Sequence, residues 1–166
     1  MPPRAASTTS PLTPVSITIE RRTLNNRWAS HQWRAVRAEL SDKPRGPVES
    51  QVDESCTEWT YGGMEFTLFR DEAEGYFLNV SADIPQLFVM WRIDDESSLA
   101  VPRVITASYN EAGRLLDGGE TVEGVPMPPA LLEAVQAYVA QHYKPEPKQR
   151  KRPQSFKRLD ERAKIV

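Results

Sequence analysis

The sequence predicts an α+β protein in which one antiparallel sheet of about six strands, strongly bent or partly closed, precedes two C-terminal helices. Apolar side chains recur at every second position through most of residues 15–107. Mostly short polar connections separate these segments, which favours antiparallel pairing because parallel strands need long crossovers. After Ser108 the apolar period changes to about 3.6 residues, as on one face of a helix.

Six segments are predicted as strands. Apolar and polar residues alternate through residues 15–22, so we expect this strand to be half-buried. Residues 86–93 are apolar on both faces, which places that strand centrally in the sheet. Gly62 and Gly63 interrupt a strand and predict a bulge or bend there, and the polar residues 41–55 predict a loop. The predicted strands are 15–22, 33–40, 58–70, 75–82, 86–93 and 100–108.

The first helix has a start signal and an end signal. Ser108 and Glu111 have the S-x-x-E spacing of a capping box, so the helix is predicted to begin at Tyr109. Gly118 or Gly119 then supplies the left-handed residue that ends it.

A second helix follows after a connection. Pro128 and Pro129 suit a first turn, and an apolar stripe continues from there to His142. The connecting residues 117–128 are predicted to form an ordered surface loop.

Gly113 and Gly118 have the spacing of the two glycines in a phosphate-binding loop. Such a loop follows a strand directly and ends in Gly-Lys-Ser or Gly-Lys-Thr, whereas here the two glycines enclose RLLD within a predicted helix. The carboxylates of Asp117 and Glu120 would also repel a phosphate. We therefore interpret these glycines as helix and turn residues.

The residues that usually carry catalysis or hold a metal are sparse. Cys56 is the only cysteine, and with His31 and His142 it exhausts the nitrogen and sulfur ligands for a structural zinc. A Ser-His-Asp set stays formally open, but no nucleophile elbow accompanies either histidine, and Asp94 and Asp95 lie in a predicted turn. We expect a protein that is not an enzyme and that has no cofactor and no metal.

Charge is distributed unevenly along the chain. Residues 144–166 have a formal charge of +6 and the remainder −8. We predict a disordered segment at residues 1–14, one domain at residues 15–143 and a basic, disordered tail at residues 144–166. A nucleic-acid-binding regulator that uses this tail is one open hypothesis, although the acidic domain would repel the same polymer. With neither a signal peptide nor a membrane span in view, we expect a cytoplasmic protein that does not contact a membrane.

Three segments are candidates for contact with a protein partner. The first, RRTLNNRWASHQW, sets tryptophans among arginines, the residue types most enriched at binding hot spots. We expect Trp33 to close one end of the core, while for Trp28 a core role and a contact role both stay open. The other two segments are the connection 117–128 and the basic tail. The candidate contact residues are Arg21, Arg22, Arg27, Trp28, Asp117, Glu120, Met127, Lys148, Arg150, Lys151 and Arg152.

Three motifs resemble those of one family of small bacterial proteins, domain of unknown function 3305: ERRTLNNRWASHQWRAV, SYNEAGRLLDGGETVEGVPMP and HYKPEPKQRKRPQSF, in this order. The resemblance implies a role beside formate dehydrogenases that depend on molybdenum or tungsten, because members are typically encoded next to the subunits and assembly factors of such enzymes. The implied function is that of a non-enzymatic accessory protein. A sulfur carrier would need a reactive cysteine, and Cys56 lies outside the three motifs, so we do not expect a persulfide relay. A small enzyme or a pterin-binding protein is the third hypothesis, since a sheet fold can host sites that no linear motif reveals.

Overall fold

A computed structural model describes residues 14–147, and within this range the chain forms two antiparallel sheets and three α-helices. The strands are β1 (Val15–Thr23), β2 (His31–Leu40), β3 (Val48–Asp53), β4 (Cys56–Met64), β5 (Gln86–Ile93), β6 (Ala100–Thr106) and β7 (Thr121–Pro126). The helices are α1 (Ala73–Val80), α2 (Tyr109–Asp117) and α3 (Pro129–His142), and a 3₁₀ turn at Arg70–Glu72 precedes α1. The α+β class predicted from the sequence is confirmed.

The four-stranded sheet has the order β2-β1-β4-β3 and the three-stranded sheet the order β6-β5-β7. Strand β2 lies beside β7, and the backbone N–H of Ala35 donates to Glu123 Oε2 across 3.0 Å between them. The sheets do not form one closed barrel. Their shared core also includes buried residues of α1 and α3.

Strand β1 is more buried than the sequence predicts. Val15, Ile17 and Ile19 point into the core, as expected for its apolar face. The polar face is covered too, because Thr18 Oγ1 shares a hydrogen bond of 2.9 Å with Thr60 Oγ1 and long side chains on β2 and β4 flank the strand.

The predicted bulge at Gly62 and Gly63 is confirmed. The β1–β4 register shifts between the Val15–Met64 pair and the Ile17–Tyr61 pair. Gly63 has φ 69°, which favours glycine. A Cβ at Gly62 would lie 2.0 Å from a backbone oxygen of the loop that follows β2, so both glycines are required by the geometry.

Four segments differ from the prediction. The predicted strand 58–70 ends at Met64 as β4, and Arg70 belongs to the 3₁₀ turn. Residues 75–82 were expected to form a strand, but most of them belong to α1. A short apolar run does not distinguish a strand from a helix. Here the helix places Tyr76 and Asn79, three residues apart, on its buried side, where the Asn79 side chain bonds the backbone at Gln86 and Ala107.

The other two corrections add strands. The region 41–55 was predicted to be a loop, yet it contains β3, an edge strand whose residues are all exposed and which therefore lacks an apolar pattern. The connection 117–128 was also predicted to be a loop, but it contains β7, which pairs with β5 along its length. Within residues 14–147 the chain thus forms two sheets with seven strands in total, whereas the sequence predicted one sheet of about six strands.

The predicted strand 86–93 is confirmed as β5, and it is central in its sheet. Both predicted helices are confirmed as well. Ser108 Oγ accepts the N–H of Glu111, and Gly119, with φ 84°, follows the end of α2. The Glu111 carboxylate accepts from Thr106 Oγ1, which in turn accepts the N–H of Ser108, so the second half of the capping box runs through Thr106.

Candidate partner-binding surface

The loop between β1 and β2 is ordered by its own hydrogen bonds. The Asn26 side-chain oxygen accepts the N–H groups of Trp28 at 3.0 Å and Ala29 at 2.8 Å, and the N–H of Leu24 donates to the backbone oxygen of Ser30 at 3.0 Å. Trp28 is nevertheless 93% exposed. The hairpin therefore holds a large apolar ring in solvent on a fixed turn.

Arg21 lies on the face of β1 that points toward the core. Its guanidinium carbon is 5.6 Å from the ring centroid of Trp33 and 5.0 Å from that of Trp59, and the two indole rings are themselves 5.2 Å apart. Trp33 packs against the core, as predicted. This stacking fixes the Arg21 side chain near the end of β1, an internal strand of the sheet.

Arg22 and Arg34 lie on the opposite face and converge on one carboxylate. Their guanidinium nitrogens are 3.8 Å and 3.1 Å from Glu20, which is only 8% exposed. Arg22 is also 3.8 Å from Asp53. We refer below to Arg21, Arg22, Arg27, Trp28 and Arg34 together as the hairpin end.

Cys56 is buried behind this carboxylate. Its thiol donates to Glu20 Oε2 at 3.5 Å. Burial raises the pKa of Cys56 above its ordinary 9.0, and the hydrogen bond and charge of Glu20 act in the same direction. The thiol form dominates at neutral pH, which makes Cys56 a poor nucleophile.

The candidate residues of the 117–128 segment do not form one surface. Asp117 is exposed at the last position of α2. Glu120 is paired with Arg92, whose Nε is 2.9 Å from Glu120 Oε2, and this pairing lowers the pKa of Glu120. Met127 is 8% exposed and belongs to the core, so its side chain is withdrawn from any contact surface in this conformation.

The remaining candidate contacts, Lys148, Arg150, Lys151 and Arg152, lie outside the described residues, as do the predictions for residues 1–13 and for most of the basic tail. The hairpin end is thus the predicted contact region whose candidate residues are described and lie on one β-hairpin.

Two features of the structure have no counterpart in the sequence analysis. One is an open apolar cavity of about 270 Å³ between α2 and the sheet, lined by Phe88, Tyr109, Ala112, Gly113, Leu116, Val122 and Gly124. The other is the carboxylate of Glu72, 2% exposed, which accepts from Ser108 Oγ and pairs with Arg114. No local signal marks either one, because each depends on residues that meet only in the folded chain.

Both histidines contact residues of their own chain segments. His31 Nδ1 is 2.9 Å from Ser30 Oγ, and the His142 ring packs 4.3 Å from that of Tyr138. Within residues 14–147 no group of three or more His, Cys, Asp or Glu side chains could hold a metal ion. None of the helices in that part of the chain has the length and apolar character needed to cross a membrane.

These observations describe an α+β protein of two antiparallel sheets with an exposed arginine-tryptophan hairpin. Residues 14–152 match the model of a family described as "Protein of unknown function (DUF3305)", so the chain belongs to that family. No curated protein and no solved structure matches the chain.

Proposed function

We propose that this chain is a non-enzymatic accessory protein that binds another protein through the hairpin end. The observation that carries the proposal is Trp28, which is 93% exposed on a turn held by three hydrogen bonds. An indole in solvent stabilises nothing inside the fold, whereas its burial against a partner removes a large apolar area from water.

The order of the loop also supports a binding role. A preformed turn loses little conformational entropy on association, so more of the contact energy remains as affinity. The arginines around Trp28 can add hydrogen bonds at the rim of such a contact.

The proposed partner is a subunit of a molybdenum- or tungsten-dependent formate dehydrogenase, or one of its assembly factors. Support comes from the three-motif resemblance, which implies an accessory role beside these enzymes. Holding the apoenzyme needs a contact surface and no catalytic group. The buried, protonated thiol of Cys56 speaks against sulfur transfer by this chain.

The proposal can be tested by affinity purification of the tagged full chain from its own host grown on formate, followed by mass spectrometry. Trp28→Ala is compared with Ile84→Ala, which truncates another exposed apolar side chain, 70% accessible and outside the hairpin. We expect a formate dehydrogenase subunit or assembly factor with the wild type and with Ile84→Ala, and strong depletion with Trp28→Ala. Equal recovery with both variants would reject the hairpin end as the contact.

A genetic experiment tests the partner independently. Deletion of the gene should abolish formate dehydrogenase activity while the enzyme's polypeptides are still made. Unchanged activity in the deletion strain would reject the assignment to this enzyme.

A further inference from the structure

The hairpin is the basic part of an acidic domain. Residues 15–40 contain five arginines and two glutamates, whereas residues 41–147 contain seven Lys or Arg and nineteen Asp or Glu. Four of the five arginines flank or lie within the loop that carries Trp28. A charged partner segment is therefore attracted by one of these two parts of the molecule and repelled by the other.

The carboxylates of the domain do not saturate these arginines. Arg22 and Arg34 share the carboxylate of Glu20, which also accepts from the Cys56 thiol, and Arg22 has one further carboxylate, Asp53, at 3.8 Å. Because each guanidinium has five N–H donors, most of the donors on this face are left for other acceptors. Both side chains are substantially exposed, at 46% and 61%.

Glu20 also holds the two arginines in place. It is almost buried and forms an ion pair with each arginine, at 3.1 Å to Arg34 and 3.8 Å to Arg22, so it keeps both guanidinium groups on this face while they remain exposed. A carboxylate that approaches from solvent would meet preoriented donors, and charge-assisted bonds of this kind are among the stronger polar contacts.

Arg27 adds an unpaired charge next to the apolar anchor. It is exposed, immediately precedes Trp28, and has no ion pair within residues 14–147. An apolar ring with an uncompensated guanidinium beside it fits a ligand that combines an apolar side chain with a carboxylate.

We infer that the hairpin end recognises a short acidic segment of its partner, with one or more Asp or Glu side chains beside an apolar residue. The inference rests on the proposed function, because it specifies the partner at the same surface. A nucleic acid is the less favoured polyanion. A long polymer would extend past the hairpin onto the acidic remainder of the domain, whereas a short peptide segment would not.

The test is a selection of random twelve-residue peptides displayed on phage against the immobilised full-length protein. We expect the selected peptides to be enriched in Asp and Glu together with an aromatic or aliphatic residue. Synthetic versions should bind about tenfold more weakly to Arg27→Glu and to Trp28→Ala. Selection of basic or uncharged sequences, or of none, would overturn the inference.

Two variants control for charge and folding. Arg70→Glu reverses another exposed arginine, outside the hairpin, and should bind the peptides like the wild type. Arg27→Lys keeps the positive charge and should retain most of the affinity. Equal losses with Arg27→Glu and Arg70→Glu would mean that net charge alone drives binding, which would overturn the inference. Near-ultraviolet circular dichroism verifies that each variant is folded.

Nucleic acid is tested with a twenty-nucleotide single-stranded DNA and an RNA of the same sequence. Binding as tight as that of the peptides, and lost in Arg27→Glu, would replace the peptide by a nucleic acid. Because the random peptide library contains no sequence chosen from formate dehydrogenase, the peptide selection tests acidic recognition independently of the assigned partner. Acidic peptides without capture of the enzyme would reject only the assigned partner, and capture without an acidic preference would reject only this inference.

Discussion

Ser108 Oγ donates a hydrogen bond to the carboxylate of Glu72, thirty-six residues earlier in the chain, while the same oxygen accepts the N–H of Glu111 at 3.1 Å. One hydroxyl therefore caps α2 and also satisfies a carboxylate that is 2% exposed. Arg114, three residues after Glu111 in α2, pairs with Glu72 as well. The cluster connects the start of α2 to the 3₁₀ turn that precedes α1.

Ser108→Ala should destabilise the fold by about 2–3 kcal/mol. Loss of a helix cap costs about 1 kcal/mol, and loss of a hydrogen bond to a buried charged group costs about 1.5–3 kcal/mol, with partial overlap between the two. Urea denaturation measures the change in unfolding free energy. Ser97→Ala is the matched control, because its hydroxyl bonds Asp94 in an exposed turn. Equal effects of the two substitutions would contradict the role given to Ser108.

Of the contacts in the Ser108 cluster, the local one can be predicted from the sequence and the long-range one cannot. The capping relation to Glu111 is local and can be predicted from a spacing of three residues. Glu72 lies in a stretch that looks like a polar turn, and only the packing of α1 on α2 places its carboxylate under Ser108. Long-range partners of this kind leave no mark in the nearby sequence.

Strands β3 and β7 could not be predicted for a similar reason, because neither has a clear local pattern of buried residues. Strand β3 is stabilised by pairing with β4 and has no buried side chain to produce a pattern. Strand β7 buries only Val125 along its six residues and has a glycine in its interior. The arginines and tryptophans of residues 21–34 are unusual in kind and can be recognised without knowledge of the fold, while their role as a contact surface stays a prediction.

Two helical glycines should respond to alanine in opposite directions. A Cβ at Gly75 would lie 2.1 Å from Ser108 Oγ, whereas a Cβ at Gly113 meets nothing within 4 Å. Gly113→Ala should raise the unfolding free energy by about 0.5–1 kcal/mol, because alanine is the better helix former. Gly75→Ala should lower it by about 1–3 kcal/mol, the usual cost of overpacking. Thermal and urea denaturation of the pair tests the packing of α1 on α2, and a stable Gly75→Ala would contradict it.

Alanine substitutions of Trp28 and Trp59 should have very different effects on the unfolding free energy. Trp28 is 93% exposed and Trp59 is 4% exposed. Trp28→Ala should change the unfolding free energy by less than about 0.5 kcal/mol, whereas Trp59→Ala should cost about 3–5 kcal/mol. Chemical denaturation gives both values. A large loss of stability in Trp28→Ala would mean that the ring packs inside the fold and is unavailable to a partner.

Exposure of Trp28 can also be measured directly by fluorescence quenching. Iodide should quench a component of the wild-type emission that is missing in Trp28→Phe. The arginines of the hairpin end attract the anion, so quenching by iodide should exceed quenching by caesium and should weaken as sodium chloride is added. Equal quenching by both ions would contradict a basic environment around Trp28.

The raised pKa of Cys56 predicts a loss of stability at alkaline pH. In the unfolded chain the thiol ionises near its ordinary 9.0, whereas in the folded protein burial and Glu20 keep it protonated to higher pH. The unfolded state therefore releases the proton first, and the contribution of Cys56 is fully present below about pH 9 and is lost as pH rises toward the folded pKa. Buried tyrosines such as Tyr61, whose pKa is raised to about 12, act in the same direction, so the wild type must be compared with a variant that lacks only the thiol.

Cys56→Ala isolates this effect, because the cavity it creates does not depend on pH. The difference in unfolding free energy between the wild type and Cys56→Ala should be constant from pH 7 to pH 8.5 and should shrink above about pH 9. A thiol-specific disulfide reagent should accordingly modify the native protein slowly at pH 8 and rapidly in guanidinium chloride, since only the unfolded chain exposes the thiolate. Rapid modification of the native protein would mean that the thiol is accessible. A difference in unfolding free energy that stays constant to pH 10.5 would mean that burial and Glu20 do not raise the pKa of the thiol. Either result would reopen sulfur transfer as a function of this chain.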